Sequence, residues 1–173
     1  MIQADTPKRH VLFLCTHNSA RSILAEGILN DLGSKRFVSH SAGSQPAGQP
    51  NPYALELLSS RGIDTSSMRS KSWDEFAQPD APRIDFIFTV CDNAAGETCP
   101  IWPGHPAKAH WGVPDPSQVQ GGPEEVRKAF LQTYLQLRTR IELFLDLPLE
   151  KLELADAQQR LQEMANRLRA RGQ

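Results

Sequence analysis

Cysteine is scarce in this 173-residue chain, which has only Cys15, Cys91 and Cys99. So small and odd a number argues against a framework of structural disulfides. A reducing cytosol keeps such cysteines as free thiols, so we interpret them as reactive or redox-cycling groups and expect a cytoplasmic protein.

The chain also lacks a charge excess and any long apolar run. Its 19 basic and 20 acidic residues give a formal net charge of -1, which argues against nucleic acid as the main partner. No apolar stretch reaches the length of a membrane span, and the first residues lack the apolar core of a signal peptide. The near-neutral net charge does not argue against binding of a small anion, because such binding needs only a local positive potential.

The residue pattern predicts an α/β fold in one domain, a four-stranded parallel sheet flanked by helices. Strands are predicted at residues 10–14, 37–43, 84–90 and 109–111, and helices at 21–33, 52–62 and 123–145, with a short helix around Trp73 and Phe76. A terminal amphipathic helix has apolar residues at helical spacing, namely Leu154, Ala157, Leu161, Met164 and Leu168. We divide the chain into a catalytic domain, 1–147, and a helical extension, 148–173. The extension is expected to dock on the domain or on a twin subunit, which would make a homodimer.

The predicted site lies in one short segment of the chain, around Cys15 and Arg21. An apolar run ends at Cys15, five residues follow, and Arg21 opens an amphipathic segment, which indicates a buried strand, a tight loop and the first turn of a helix. Such a loop directs backbone N–H groups into one concavity at the positive end of the helix dipole, where a tetrahedral oxyanion fits. The same field favours the thiolate of Cys15. The candidate oxyanion-binding residues are Thr16, His17, Asn18, Ser19, Ala20, Arg21 and Ser22. The alternative is that Cys15 is a buried, inert residue at a strand end.

The two other cysteines bear on whether such a site would reduce its substrate or hydrolyse it. Two thiols that become a disulfide supply two electrons, and Cys91 follows a predicted central strand as Cys15 follows the first. Two alternatives stay open. One is an inert pair; the other is a zinc site formed with His105 and His110, for which the spacing between Cys91 and Cys99 is poor.

Three motifs resemble the low-molecular-weight tyrosine phosphatase superfamily, and most of all its thioredoxin-coupled arsenate reductases. The stretch from Val11 to Ser22 resembles the active-site loop, the segment from Cys91 to Pro100 resembles the redox loop, and Asp115 before Pro116 matches the general acid. The alternative for Asp115 is an ordinary turn aspartate.

This resemblance implies a role for each matched residue. Cys15 would attack arsenate held by the loop amides and Arg21, Asp115 would protonate the departing oxygen, and Ser22 would hydrogen-bond the thiolate. Cys91 would then release arsenite, and Cys99 would resolve the disulfide. No cofactor would be bound. The external reductant would be thioredoxin, with glutathione and glutaredoxin, or mycothiol, left open.

Departures from the family pattern affect the choice between functions. Tyrosine phosphatases of the superfamily have aromatic residues after the Asp-Pro, whereas this chain has Ser117 and Gln118. Ala20 stands where many thioredoxin-coupled reductases have a further cysteine. The alternative functions are a phosphatase for phosphotyrosine or a small phosphoester, and a non-catalytic oxyanion or redox sensor.

A cation site of the family is altered as well. Asn18, Glu26 and Ser41 match positions that bind potassium in relatives, but Lys71 stands at the place of an aspartate ligand. An ammonium there would repel potassium, unless Lys71 simply faces solvent. His17 stands where relatives often have glycine, and its role is left open.

Overall fold

The sheet has the predicted parallel architecture. The computed structural model describes residues 8–90, 106–148 and 154–170. Its strands are β1 (Arg9–Cys15), β2 (Phe37–Gly43), β3 (Phe86–Thr89) and β4 (Ala107–His110). They are hydrogen-bonded in the order β2-β1-β3-β4, and every neighbouring pair is parallel. The carboxyl ends of the strands therefore lie along one edge.

Three strands differ from the prediction in their bounds. β1 extends one residue beyond the predicted strand at each end. β3 is shorter than the apolar run that predicted it, and β4 begins two residues earlier than expected and ends before Trp111. The register explains this, because Ala107 pairs with Phe86, the first residue of β3, and the ladder then runs for four residues. Trp111 still donates its N–H to the carbonyl oxygen of Thr89, at 2.7 Å.

Four α-helices accompany the sheet among the described residues: α1 (Arg21–Gly33), α2 (Pro52–Ser60), α3 (Pro123–Leu145) and α4 (Leu154–Ala170). Two short 3-10 helices lie at Trp73–Ala77 and Pro116–Gln118. α2 begins as its sequence predicts, because Pro52 takes the first helical position and the Asn51 side chain accepts the N–H of Tyr53 at 2.8 Å. No described helix is long and apolar enough to cross a bilayer.

Apolar side chains cover both faces of the sheet. On β1, Val11 and Phe13 pack with the helical layer, whereas Leu12 and Leu14 pack with Trp73 and Phe76 on the other face. The helical layer includes the predicted stripe of α3, whose buried members are Phe130, Tyr134, Leu137, Ile141 and Phe144. A strand buried on both faces is held firmly, so the loop that follows Cys15 starts from a rigid support.

The terminal helix α4 docks on this same domain. Ala157 and Leu161 are fully buried, and the Gln158 side chain pairs with the backbone of Lys108 on the edge strand β4. Its amide nitrogen donates to the Lys108 carbonyl oxygen at 2.5 Å, and its amide oxygen accepts the Lys108 N–H. α4 thus covers polar backbone that an open sheet edge would expose. The homodimer and the division at residue 147 stay predictions.

Candidate active site

A braced loop connects β1 to α1 at the carboxyl edge of the sheet. Its carbonyl oxygens are bound from outside: Gln45 N–H donates to Thr16 at 2.8 Å, Ala47 N–H to His17 at 2.9 Å, and Asn51 N–H to Ser19 at 2.9 Å. A side chain at Gly43 would collide with the same loop, because a Cβ there would lie 2.5 Å from the Thr16 carbonyl oxygen. The loop therefore has its shape imposed by residues distant in sequence.

Cys15 lies at the floor of this loop, in contact with a buried hydroxyl. Its Sγ lies 2.8 Å from the Oγ of Ser22, and Asn18 Nδ2 donates to the same Oγ at 2.9 Å. Since that bond uses the hydroxyl as an acceptor, the hydroxyl hydrogen can be donated to the sulfur. A donor at this distance stabilises a thiolate more than a thiol. The predicted contact between Ser22 and the nucleophile is present.

Asn18 organises the loop from its buried centre. Its amide nitrogen donates to Ser22 and to the Oγ of Ser41, each at 2.9 Å, and its amide oxygen accepts the N–H of Lys71 at 2.9 Å. The residue has a φ of +46°, a left-handed conformation that asparagine tolerates better than most residues. The Asn18 side chain therefore shapes the loop from behind and is not part of the lining of the cavity above Cys15.

A cavity of about 120 Å³ opens above Cys15, and its lining includes Arg21, Asp115, His17, Ala47 and Ser117. Ser19 and Ala20 complete the lining on the side of the loop. The structure thus brings the predicted nucleophile, cation and acid together in one small space. Among the described residues, no Phe, Tyr or Trp lines the cavity, as expected from Ser117 and Gln118 after the Asp-Pro.

Arg21 points its guanidinium into this space. Nη1 donates to the Val113 carbonyl oxygen at 3.3 Å, and Nη2 lies 3.4 Å from Asp115 Oδ2. The buried Nε has no hydrogen-bond partner among the described residues. A guanidinium has five N–H donors, and these contacts are few and long, so the fork can bind a tetrahedral oxyanion.

Asp115 is held by the turn that its two proline neighbours stiffen. Its Oδ1 accepts two bonds from Ser117, one from the backbone N–H at 2.9 Å and one from the hydroxyl at 2.7 Å. Its Oδ2 is directed towards Arg21. Sequence reasoning noticed Ser117 only as a missing aromatic residue; its place two positions after an aspartate, a common capping arrangement, was the available signal.

Lys71 faces inward, so the solvent-facing alternative is wrong. Its ammonium donates to the Ser41 carbonyl oxygen at 2.8 Å and to the Arg69 carbonyl oxygen at 3.0 Å. Burial lowers the pKa of Lys71, and the nearby Glu26 carboxylate opposes this change. Burial likewise raises the pKa of Glu26, against the opposing attraction of Lys71. Because an ammonium binds the carbonyl of Ser41 beside Glu26, these residues do not fit a potassium ion.

We expect Lys71→Asp to create a preference for potassium that the natural protein lacks. The change removes the ammonium and adds a carboxylate beside the oxygens of Asn18, Glu26 and Ser41. The melting temperature of the variant should be higher in potassium than in sodium, by about 2–4 °C for about 1 kcal/mol of linkage.

Lys71→Met is the matched control, since it removes the charge without adding a ligand and should melt alike in both salts. If the natural protein were itself stabilised by potassium over sodium, the assignment of Lys71 as the internal cation would be wrong.

Several predictions fall outside the described residues, namely those on Cys91, Cys99 and His105. The first described range ends beside the site at Val90, the residue before Cys91. Val90 donates its N–H to the Leu14 carbonyl oxygen at 2.9 Å. Of the zinc alternative, the structure describes only His110, whose Nδ1 lies 2.6 Å from the Thr89 hydroxyl. The described residues contain no cluster of three metal-binding side chains. His17 is exposed at the cavity, and its role stays open.

Comparison with known proteins identifies arsenate reductases among the relatives of this chain. Curated relatives include an arsenate reductase of Shouchella clausii, 35% identical over 137 residues that cover 79% of this chain and 95% of the relative. An arsenate reductase of Bacillus subtilis is 34% identical over 134 residues, which cover 78% of this chain and 93% of the relative.

Solved structures show the same fold. An arsenate reductase in its phosphate-binding state aligns with a TM-score of 0.60 at 25% identity, covering 78% of this chain and 95% of the other. A low molecular weight phosphotyrosine phosphatase of Vibrio cholerae O395 aligns with a TM-score of 0.62 at 25% identity, covering 80% and 95%. The model of one family, low molecular weight phosphotyrosine protein phosphatase, matches residues 10–159, and this chain belongs to that family.

Proposed function

We propose that this protein is an arsenate reductase, which converts arsenate to arsenite through a relay of cysteine thiols. The observation that carries the proposal is the meeting of Cys15, Arg21 and Asp115 at one small cavity. A nucleophile, a cation and an acid are the groups needed to bind a tetrahedral oxyanion and to displace one of its oxygens. The curated relatives support arsenate as that oxyanion.

The first step forms a bond between sulfur and arsenic. Amides of the loop from Thr16 to Ser22 and the guanidinium of Arg21 would hold arsenate above Cys15. The thiolate attacks arsenic, the bond from arsenic to one hydroxyl oxygen breaks, and Asp115 gives its proton to this departing hydroxyl, which leaves as water. The Ser22 hydroxyl, 2.8 Å from Sγ, stabilises the thiolate before the attack.

The second step transfers the electrons. The thiolate of Cys91 attacks the sulfur of Cys15, the electron pair of the sulfur–arsenic bond goes to arsenic, and arsenite leaves. Cys99 then attacks Cys91, which frees Cys15 and leaves a Cys91–Cys99 disulfide. An external thiol reductant reduces that bond, so no bound cofactor is needed. We propose thioredoxin as this reductant, on the resemblance of the segment from Cys91 to Pro100; glutathione with glutaredoxin, or mycothiol, are the alternatives.

A phosphatase is the second candidate, because the cavity residues Cys15, Arg21 and Asp115 alone would be enough to hydrolyse a phosphoester. A phosphotyrosine ring usually needs an aromatic wall, however, and the described residues around this cavity provide none. Ser117, at the rim, is small and polar. The geometry therefore favours a free oxyanion over an aryl phosphate.

The assay that tests the proposal measures arsenite production with thioredoxin, its reductase and NADPH, compared with glutathione and glutaredoxin. Turnover with one of these systems supports the relay, and their rates identify the reductant. Hydrolysis of aryl phosphate without any arsenite production would contradict the proposal and favour the phosphatase. Steady turnover of arsenate would also exclude a sensor that only binds.

Phosphate and sulfate are expected to compete with arsenate, since the cavity recognises tetrahedral shape and charge and not the central atom. Millimolar phosphate should raise the KM for arsenate without lowering kcat. Arg21→Lys should lower the affinity for arsenate and the affinity for phosphate by a similar factor, about tenfold or more, because lysine cannot form the two parallel hydrogen bonds of the guanidinium. If millimolar phosphate left arsenate turnover unchanged, the oxyanion site would be misplaced.

A further inference from the structure

The two carboxylate oxygens of Asp115 have different surroundings. Oδ1 accepts the N–H of Ser117 at 2.9 Å and its hydroxyl at 2.7 Å. Oδ2 lies 3.4 Å from Nη2 of Arg21, which is longer than an ordinary hydrogen bond to a charged group. The carboxylate is therefore bound firmly through one oxygen only.

This asymmetry determines where a proton can reside. A carboxylate oxygen has two lone pairs, and the two donors of Ser117 occupy both on Oδ1. A proton on Oδ1 would break one of these bonds, whereas a proton on Oδ2 breaks no hydrogen bond from Ser117 and weakens only the long ion pair with Arg21, at 3.4 Å. Oδ2 is also the oxygen beside the guanidinium that would bind an oxyanion.

We propose that Ser117 is a positioning residue, which fixes the transferable proton of Asp115 on Oδ2, facing the cavity. The inference rests on the proposed function and deepens it. In the first step, the Oδ2–H bond breaks, the proton joins the departing hydroxyl of arsenate to release water, and Asp115 is left as a carboxylate. Both bonds from Ser117 to Oδ1 persist throughout, so the carboxylate need not rotate.

The hydroxyl of Ser117 contributes more than helix capping requires. Asp115 caps the 3-10 helix Pro116–Gln118 by accepting the Ser117 N–H, and this backbone bond would remain with any residue at 117 other than proline. Only the hydroxyl bond depends on serine. Because Ser117 is exposed, removing its hydroxyl leaves no buried group unsatisfied, and the fold should tolerate the change.

The test uses Ser117→Ala and Ser117→Thr in the full-length protein. Single-turnover formation of arsenite is measured with protein in excess, so that the attack by Cys99 and the external reductant, which act after arsenite is released, do not limit the rate. Ser117→Ala should lower the rate constant about five- to tenfold and change the dissociation constant of phosphate by less than about twofold. Ser117→Thr, which keeps a hydroxyl, should recover the natural rate to within about twofold.

A double-mutant cycle with Asp115→Asn separates positioning from structure. Asp115→Asn alone should slow the step by about a hundredfold or more. In that background Ser117→Ala should have almost no further effect, because no proton remains to be placed. An equal loss in both backgrounds, a natural rate in Ser117→Ala, or failure of threonine to restore the rate would each overturn the proposal.

The experiments distinguish a failure of the proposed arsenate reduction from a failure of the proposed role of Ser117. If the natural protein formed no arsenite, the reductase proposal would fail on its own. The same cycle would then be measured on hydrolysis of phenyl phosphate, whose leaving group also needs a proton. Coupling between Ser117 and Asp115 in that reaction would uphold the positioning role, and its absence there would overturn it.

Discussion

Replacing Cys15 with serine is expected to lower arsenate turnover by at least about a thousandfold, since removal of a nucleophile has effects of this size or more in other enzymes. A serine hydroxyl does not ionise near neutral pH, so the Ser22 hydroxyl and the helix dipole have no anion to stabilise. The substituted side chain is of similar size and lies in the same buried position, so the fold should persist. The measurement is arsenite production with the reducing system that is active for the natural protein.

Phosphate binding provides the control for this variant. Cys15→Ser should still be stabilised against heat by phosphate, because the loop amides and Arg21 are unchanged. Ser22→Ala is the matched variant: it keeps the thiol but removes the donor 2.8 Å from Sγ, and should reduce turnover by about ten- to a hundredfold. Turnover by Cys15→Ser within tenfold of the natural protein would remove Cys15 from the role of nucleophile.

The strand, loop and helix around Cys15 could be predicted because their signals are local. An apolar run that ends at a cysteine and an amphipathic run that starts at Arg21 are adjacent in the chain, and hydrophobic periodicity reports such neighbours directly. The stripe of α3 is a signal of the same kind. Asp115 was identified only through a resemblance, since an aspartate between prolines is common in turns.

Other features depended on contacts between distant segments and had no local signal. The inward direction of Lys71 follows from the Ser41 carbonyl, 30 residues earlier in the chain. The start of β4 follows from its register with β3, and its exposed edge is covered by Gln158, 50 residues later. Hydrophobic periodicity does not indicate which backbone group a charged or amide side chain will contact, so it could not decide the direction of Lys71 or predict the contact of Gln158.

The described part of β3 and the residue after it end beside the end of β1. β1 and β3 are parallel neighbours in which Leu14 pairs with Thr89, and the N–H of Val90 donates to the Leu14 carbonyl oxygen at 2.9 Å. Cys15 follows Leu14, and Cys91 follows Val90. Cys91 itself lies outside the described residues, but its attachment point is fixed beside the end of β1.

From the proposed relay we expect Cys99→Ser to stop after one turnover with a Cys15–Cys91 disulfide. Cys91 can still attack the Cys15 sulfur and release one equivalent of arsenite, but no third thiol then frees Cys15. Cys91→Ser should fail one step earlier, because nothing displaces arsenic from the sulfur of Cys15, and arsenite should stay well below one equivalent per protein. Steady-state turnover should fall by at least about a hundredfold in both variants.

Peptide mapping of the stalled Cys99→Ser protein decides between the relay and its alternatives. A linkage of Cys15 to Cys91, with one equivalent of arsenite released, supports the order of attack proposed here. The double variant Cys91→Ser with Cys99→Ser is the control, since hydrolysis of a phosphoester would survive it and reduction would not. Free thiols with undiminished multiple turnover in Cys99→Ser would remove Cys99 from the mechanism, because the Cys15–Cys91 disulfide would then have to be reduced directly by the external reductant.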